Sequence, residues 1–159
     1  LAIGGSIATG YPELEELVTS MPHEQGMAID NPMVRSKIAD WYCKASGLRN
    51  TASRALTAIS KGETPGPENS IGKLVAGGMM QDIAKFALDL QGLAGAIVDP
   101  EIAEGSARFQ AMLLRSPAVR VEGGTDQILR NIISERVLGL PEDMRADKGL
   151  PFNKIPTGN

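Results

Sequence analysis

The sequence predicts an all-α fold: an antiparallel helical bundle of the four-helix, up-down-up-down type, followed by a C-terminal tail. Two long stretches repeat apolar residues with the 3.6-residue period of a helix, and the short connection between them makes the two helices antiparallel neighbours. Alternation of apolar and polar residues, which is typical of strands, is almost absent. The chain has 159 residues, 42% of them hydrophobic, which is enough for one compact core. We therefore predict one bundle domain over residues 1–139 and an extended tail over residues 140–159.

The first half of the chain predicts a short helix and a long one. A proline followed by acidic residues suits a helix N-terminus, and we expect a helix over about residues 12–20. Residues 22–30 have no apolar period and predict a loop. Asn31 can cap a helix and Pro32 suits the first helical position, so a long amphipathic helix begins there. Apolar residues then recur at helical spacing almost as far as Gly62, which favours the helix end.

The second half predicts three more helices. Residues 67–93 repeat the helical apolar period and form the second long helix. Residues 101–114 predict a shorter helix, which we expect to be broken at Ser116-Pro117 because proline interrupts a helix and disfavours the helical conformation of the residue before it. The last helix is expected over residues 125–138, where Gly139 and a following proline end it.

Composition and charge exclude several classes of protein. Sixteen basic residues stand against nineteen acidic ones, giving a net charge of −3 without long runs of either sign, so we expect no nucleic-acid binding. No apolar stretch approaches the roughly 20 residues of a membrane span, and the N-terminus lacks the pattern of a signal peptide, so we expect a cytoplasmic protein without a membrane span. A single cysteine, Cys43, and a single histidine, His23, leave no basis for a disulfide or a metal site.

The segment Glu122–Gln127 is the most unusual part of the sequence. Two glycines permit close approach of a ligand to the backbone, and the free first-turn N–H groups of a following helix can receive an anion such as a phosphate. Arg115 and Arg120 are near enough in sequence to meet such an anion. The same residues also fit a helix capped by Thr125 after a flexible Gly-Gly turn. The residues alone leave both interpretations open.

The run from Glu122 to Asp143, EGGTDQILRNIISERVLGLPED, resembles the closing helix of acyl-CoA dehydrogenases. In that family the C-terminal domain carries a Gly-Thr pair, a Gln or Glu, an Arg-Asn-Ile-Ile-like stretch and a Leu-Gly-Leu-Pro ending. The segment Pro65–Lys73 and the helix start Asn31–Arg35 are similar to the actinobacterial-type members. The resemblance covers most of residues 1–143, and the chain is identified as a C-terminal helical bundle domain of this family.

The resemblance implies an FAD-dependent enzyme that oxidises an acyl-CoA thioester to trans-2-enoyl-CoA, by abstraction of the α proton and transfer of the β hydride to flavin. Thr125 and Gln127 match positions that contact FAD, commonly across a subunit interface. Gly123 and Gly124 match the turn beside the substrate and the flavin. The implied partners are the acyl-CoA substrate, an electron-transfer acceptor for the reduced flavin and further subunits, in a homo- or hetero-oligomer that is a dimer or a tetramer.

The resemblance does not assign the catalytic base to a residue of this chain. Many members place a glutamate directly before the Gly-Thr pair, but Gly123 occupies that position and Glu122 lies one residue earlier. A second group places the base just before a segment similar to Leu1–Gly5, which would put it upstream of Leu1. Two family motifs also differ: Arg-x-x-Phe-Gly is absent, and Gln-x-x-Gly-Gly has Asp89 in the Gln position with only Gly92 kept. The alternative to an enzyme is a non-catalytic helical subunit or oligomerisation domain derived from this family.

Overall fold

The structure is a computed structural model, and it describes residues 9–23, 26–64, 66–103, 107–142, 145, 147 and 149–155. The described residues contain five α-helices, which confirms the all-α prediction. They are α1 (Tyr11–Ser20), α2 (Pro32–Ser60), α3 (Asn69–Gln91), α4 (Arg108–Val119) and α5 (Asp126–Ile132). Within the described part of the chain, no helix is both long and apolar enough to cross a membrane.

Helix α3 lies at the centre of the bundle and packs against the other four α-helices. The core contains the fully buried side chains of Leu14 and Val18 from α1, Ile83 from α3 and Phe109 from α4. Beside this core, the rings of Trp41 in α2 and Phe86 in α3 meet edge to face, with 5.2 Å between their centroids. Because α3 is shared by all these contacts, residues that project from it can reach both α2 and the α4–α5 connection.

The predicted loop over residues 22–30 contains more regular structure than its sequence indicates. Two short strands, β1 (Pro22–His23) and β2 (Gly26–Met27), form an antiparallel ladder. A 3₁₀ turn, Ala28–Asp30, follows them, and the Asp30 carboxylate accepts a hydrogen bond from the Met27 N–H at 2.9 Å. A ladder of two residue pairs has too few residues for apolar alternation to appear in the sequence.

The predicted helix over residues 101–114 is wrong at both ends, and residues 104–106 lie outside the described residues. Asp99 starts a single turn instead: its carboxylate accepts from the Glu101 N–H at 2.9 Å, and its carbonyl accepts from the Ala103 N–H at 2.8 Å. Ala107 precedes α4 with a φ of 56°, in the left-handed region. These local bonds hold residues 99–103 in a turn, and α4 begins at Arg108.

The predicted break at Ser116-Pro117 is also wrong, since α4 continues through Pro117 to Val119. Proline has no N–H and leaves the carbonyl four residues earlier, that of Leu113, without its helical donor. The Ser116 hydroxyl donates to this carbonyl oxygen at 2.8 Å. Ser116 is fully buried, and its side chain replaces the missing backbone hydrogen bond.

The last helix ends where the sequence predicts. Helix α5 continues as a π-helical turn, Ile133–Val137, and Gly139 follows with a φ of 68°, which glycine adopts without strain. The Leu140 N–H donates to the Ser134 carbonyl at 2.9 Å and closes this end. Among the described residues beyond it, Phe152–Lys154 form a 3₁₀ turn.

Candidate functional site

The connection between α4 and α5 is a tight turn built on two glycines, Gly123 and Gly124, with φ values of 62° and 113°. We call residues 122–125 the Gly-Gly turn. Both φ values lie in the region that favours glycine, so side chains at these positions would strain the backbone. Gly123 is exposed, whereas Gly124 is half-buried beside Leu129, a core-facing residue of α5. The turn therefore presents bare backbone at Gly123 and is anchored at Gly124.

Thr125 is the N-cap of α5. Its hydroxyl oxygen accepts a hydrogen bond from the Ile128 N–H at 3.3 Å. This contact confirms the interpretation of the segment as a capped helix. The start of α5 gives no support to the alternative of an anion site, because its first turn already carries the carboxylate of Asp126.

Arg120 closes the turn by joining its two ends. Its Nε donates to Asp126 Oδ2 at 2.7 Å, and its Nη2 lies 2.6 Å from the same oxygen. Its Nη1 donates to Oε1 of Gln81 in α3 at 2.6 Å, and its carbonyl accepts from the Asp126 N–H at 3.2 Å. Asp126 is 5% exposed, so the guanidinium compensates a carboxylate that is almost completely buried. Arg120 and Asp126 therefore fix the separation of α4 and α5.

Lys73 reaches the turn from α3. Its Nζ donates to the Gly124 carbonyl oxygen at 2.6 Å, in a partly buried contact between residues 51 positions apart. Sequence reasoning missed Lys73 and Gln81 as parts of this site, and it gave no role to Asp126, which lies inside the segment that it singled out. Lys73 does lie in a segment that carries the family resemblance, but nothing in that segment indicates which backbone group its side chain contacts.

Glu122 lies on the outside of the turn and forms an ion pair with Arg115 of α4, with Arg115 Nη2 and Glu122 Oε1 2.5 Å apart. Each side chain is about half exposed. The hydrogen bond from Arg115 lowers the pKa of the Glu122 carboxyl below its ordinary value, and the charges of Arg115 and Lys73 act in the same direction. Glu122 is therefore an ionised, solvated carboxylate of reduced basicity.

The structure brings the four predicted binding residues together at one place on the surface. Gly123, Gly124 and Thr125 are consecutive in the turn, and Gln127 follows in the first turn of α5 with an exposed side chain. Among the described residues, neither the Gln127 carboxamide nor the Thr125 hydroxyl donates a hydrogen bond to another group, and the Thr125 oxygen only accepts one. The site can thus offer hydrogen bonds from two side chains beside an open stretch of backbone.

A second glycine segment, Gly92–Ala96, forms a 3₁₀ turn at the end of α3. Gln110 of α4 holds it: Nε2 donates to the Gly95 carbonyl at 3.2 Å and to the Ile97 carbonyl at 2.9 Å. Gly95 packs so closely that a Cβ there would lie 2.5 Å from the Leu88 carbonyl oxygen. Sequence reasoning did not identify Gln110, because a single glutamine in a helix carries no signal of its partner.

Comparisons with known proteins agree on one family. The family described as "Acyl-CoA dehydrogenase, C-terminal domain" matches residues 1–138. The chain is 34% identical over 119 residues to acyl-CoA dehydrogenase IpdE1 of Mycolicibacterium smegmatis, a match that covers 74% of the chain and 28% of the relative. It is 33% identical over 121 residues to IpdE1 of Mycobacterium tuberculosis, with 74% and 29% covered. The aligned region thus spans less than a third of the length of these relatives.

Two solved structures have the same fold. One is the ChsE4-ChsE5 complex from Mycobacterium tuberculosis, with a TM-score of 0.69 and 23% identity, over 84% of this chain and 34% of the other. The second is described as the Tcur3481-Tcur3483 steroid ACAD, with a TM-score of 0.63 and 21% identity, over 72% of this chain and 30% of the other. At these identities the likeness concerns the arrangement of helices.

Proposed function

Because the chain belongs to the acyl-CoA dehydrogenase family, whose C-terminal domain it matches, we propose that it works as that domain in an FAD-dependent dehydrogenase. The family match over residues 1–138 carries this proposal, and it confirms the resemblance found in the sequence. The reaction proposed for the whole enzyme is oxidation of an acyl-CoA thioester to trans-2-enoyl-CoA. Residues 1–139 are the proposed bundle domain, and residues 140–159 are the proposed tail.

The Gly-Gly turn is the proposed contact with flavin and substrate. The Thr125 hydroxyl and the Gln127 carboxamide fit a flavin, since neither donates a hydrogen bond to another described residue and the Gln127 side chain is exposed. Gly123 and Gly124 are proposed to lie beside the acyl-CoA, where the missing side chain at the exposed Gly123 leaves the backbone accessible. Flavin, when bound, supplies the acceptor for the β hydride. The contribution of this chain is to bind and orient the two molecules.

We propose that the catalytic base lies elsewhere in the whole enzyme, not at Glu122. A base that removes an α proton works best when burial raises its pKa towards neutrality. Glu122 has the opposite environment, since Arg115 holds it in an exposed ion pair that lowers its pKa. We therefore assign no catalytic residue within this chain.

The proposed partners are an acyl-CoA, an acceptor that reoxidises the reduced flavin, and further subunits in a homo- or hetero-oligomer. Exposed apolar side chains support association: Leu93, Ile102, Leu114 and Phe152 are each at least 70% exposed. One solved structure of similar fold is itself a complex, that of ChsE4 and ChsE5. A dimer or tetramer in the cytoplasm is the proposed working form.

The test uses the whole protein that contains this chain. We expect a flavin absorption spectrum after purification and acyl-CoA-dependent reduction of an artificial electron acceptor. Glu122→Gln should keep most of this activity and the exchange of the substrate α proton with solvent. If Glu122→Gln stops that exchange while flavin stays bound, then Glu122 is the base. If the wild-type protein binds no flavin and oxidises no acyl-CoA, the proposed function is wrong, and a non-catalytic helical subunit explains the altered Asp89 motif.

A further inference from the structure

We propose that Lys73 is a positioning residue that holds the Gly-Gly turn in the shape needed to present Thr125 and Gln127 to flavin. This inference rests on the proposed function. It concerns a side chain in α3 that touches neither proposed flavin contact. It acts on the backbone carbonyl of Gly124, directly before Thr125.

The contact geometry supports this role. The Lys73 ammonium donates to the Gly124 carbonyl at 2.6 Å in a partly buried place, where a bond from a charged donor is stronger than one between neutral groups. The lysine stem also lies along the turn, since a Cβ on Gly123 would lie 3.7 Å from Lys73 Cε. The side chain therefore lies beside Gly123 and binds the carbonyl of Gly124.

Two adjacent glycines make such support necessary. Glycine loses more conformational freedom on ordering than other residues, so a Gly-Gly segment does not keep one shape by itself. The Gly124 carbonyl belongs to the peptide group that leads into Thr125. Rotation of this peptide group would turn the Thr125 hydroxyl and shift the first turn of α5 that carries Gln127.

The other hydrogen bonds that hold the α4–α5 connection act at its ends. Arg120 binds Asp126 and Gln81 and fixes the two ends of the connection. Among the described residues, the bond from Lys73 is the hydrogen bond that reaches the Gly124 carbonyl. Loss of Lys73 should thus free the middle of the turn while Arg120 keeps α4 and α5 together.

The experiment compares Lys73→Met with Lys73→Arg and with Lys85→Met in the whole protein. Methionine keeps the stem and removes the donor, arginine keeps a cationic donor, and Lys85 is an exposed lysine of the same helix. Peptide-resolved hydrogen exchange reports the order of residues 120–128, and absorption titration gives the flavin dissociation constant, both well below the unfolding temperature. Lys73→Gln, which also removes the charge, provides a second variant if Lys73→Met does not fold.

We expect Lys73→Met to speed exchange in the turn and to raise the flavin dissociation constant, each about tenfold, as the loss of one charge-assisted hydrogen bond implies. Lys73→Arg should restore both values to within about threefold, and Lys85→Met should match the wild type. Unchanged exchange would overturn the inference, and so would faster exchange with unchanged flavin affinity. An equal effect of Lys85→Met would show a general charge effect and also overturn it. A wild type without flavin overturns the proposed function before any variant is compared.

Discussion

Replacement of Asp126 by alanine should lower the free energy of unfolding of this chain by about 2 kcal/mol. The Asp126 side chain is 7% exposed and receives two contacts from Arg120, at 2.6 and 2.7 Å. A hydrogen bond to a charged group contributes roughly 1.5–3 kcal/mol, and breaking a fully buried ion pair costs about 3–5 kcal/mol. The Arg120 side chain, in contrast, is 40% exposed. Water can therefore solvate the freed guanidinium, and the expected loss of stability falls in the range for one hydrogen bond to a charged group and not in the range for a fully buried ion pair.

Urea unfolding followed by circular dichroism measures this loss, and a thermal scan should show a decrease of about 4–8 °C in Tm for a chain of this size. Asp40→Ala is the matched control, because the Asp40–Lys44 pair has a similar separation of 2.7 Å but side chains that are 59% and 45% exposed. Removal of this exposed pair should change the stability by about 0.5 kcal/mol or less. A double-mutant cycle that combines Asp126→Ala with Arg120→Met measures the interaction free energy between the two side chains. Equal losses for Asp126→Ala and Asp40→Ala would refute the reasoning.

Substitutions in the core, the turn and its exposed ion pair give three further predictions. Ile83→Ala removes a fully buried side chain of α3 and should cost roughly 2–5 kcal/mol in urea unfolding; a loss below 1 kcal/mol would contradict this packing. Gly124→Ala, at a φ of 113°, should destabilise by about 1–3 kcal/mol, whereas Gly47→Ala, with open space around it in α2, should stabilise slightly. The stability from Glu122 is present above its ordinary pKa and is lost as the pH falls through the lowered folded pKa. Arg115→Met should raise the pKa of Glu122 in an NMR titration. Equal titration midpoints for Glu122 in the wild type and in the variant would contradict the role of the ion pair.

The sequence by itself determined which segments are helices and where several of them end, because these properties depend on residues a few positions apart. Asn31 caps α2, with its side-chain oxygen accepting from the Met33 N–H at 2.9 Å, and Thr125 caps α5 in the same manner. Gly139 ends the last helix with a positive φ. The family resemblance was also contained in the sequence, since its motifs are runs of consecutive residues.

Only the tertiary structure decided the course of α4 and the support of the candidate site. Because proline lacks an N–H, Pro117 predicts a break in the helix. The hydroxyl of the buried Ser116 instead donates to the Leu113 carbonyl that proline leaves without a partner. Contacts across 51 and 39 positions, from Lys73 to Gly124 and from Arg120 to Gln81, hold the turn. The periodicity of a helix fixes which of its faces is buried, but the partner of a long polar side chain depends on how α3, α4 and α5 pack together. That packing is a property of the folded chain as a whole.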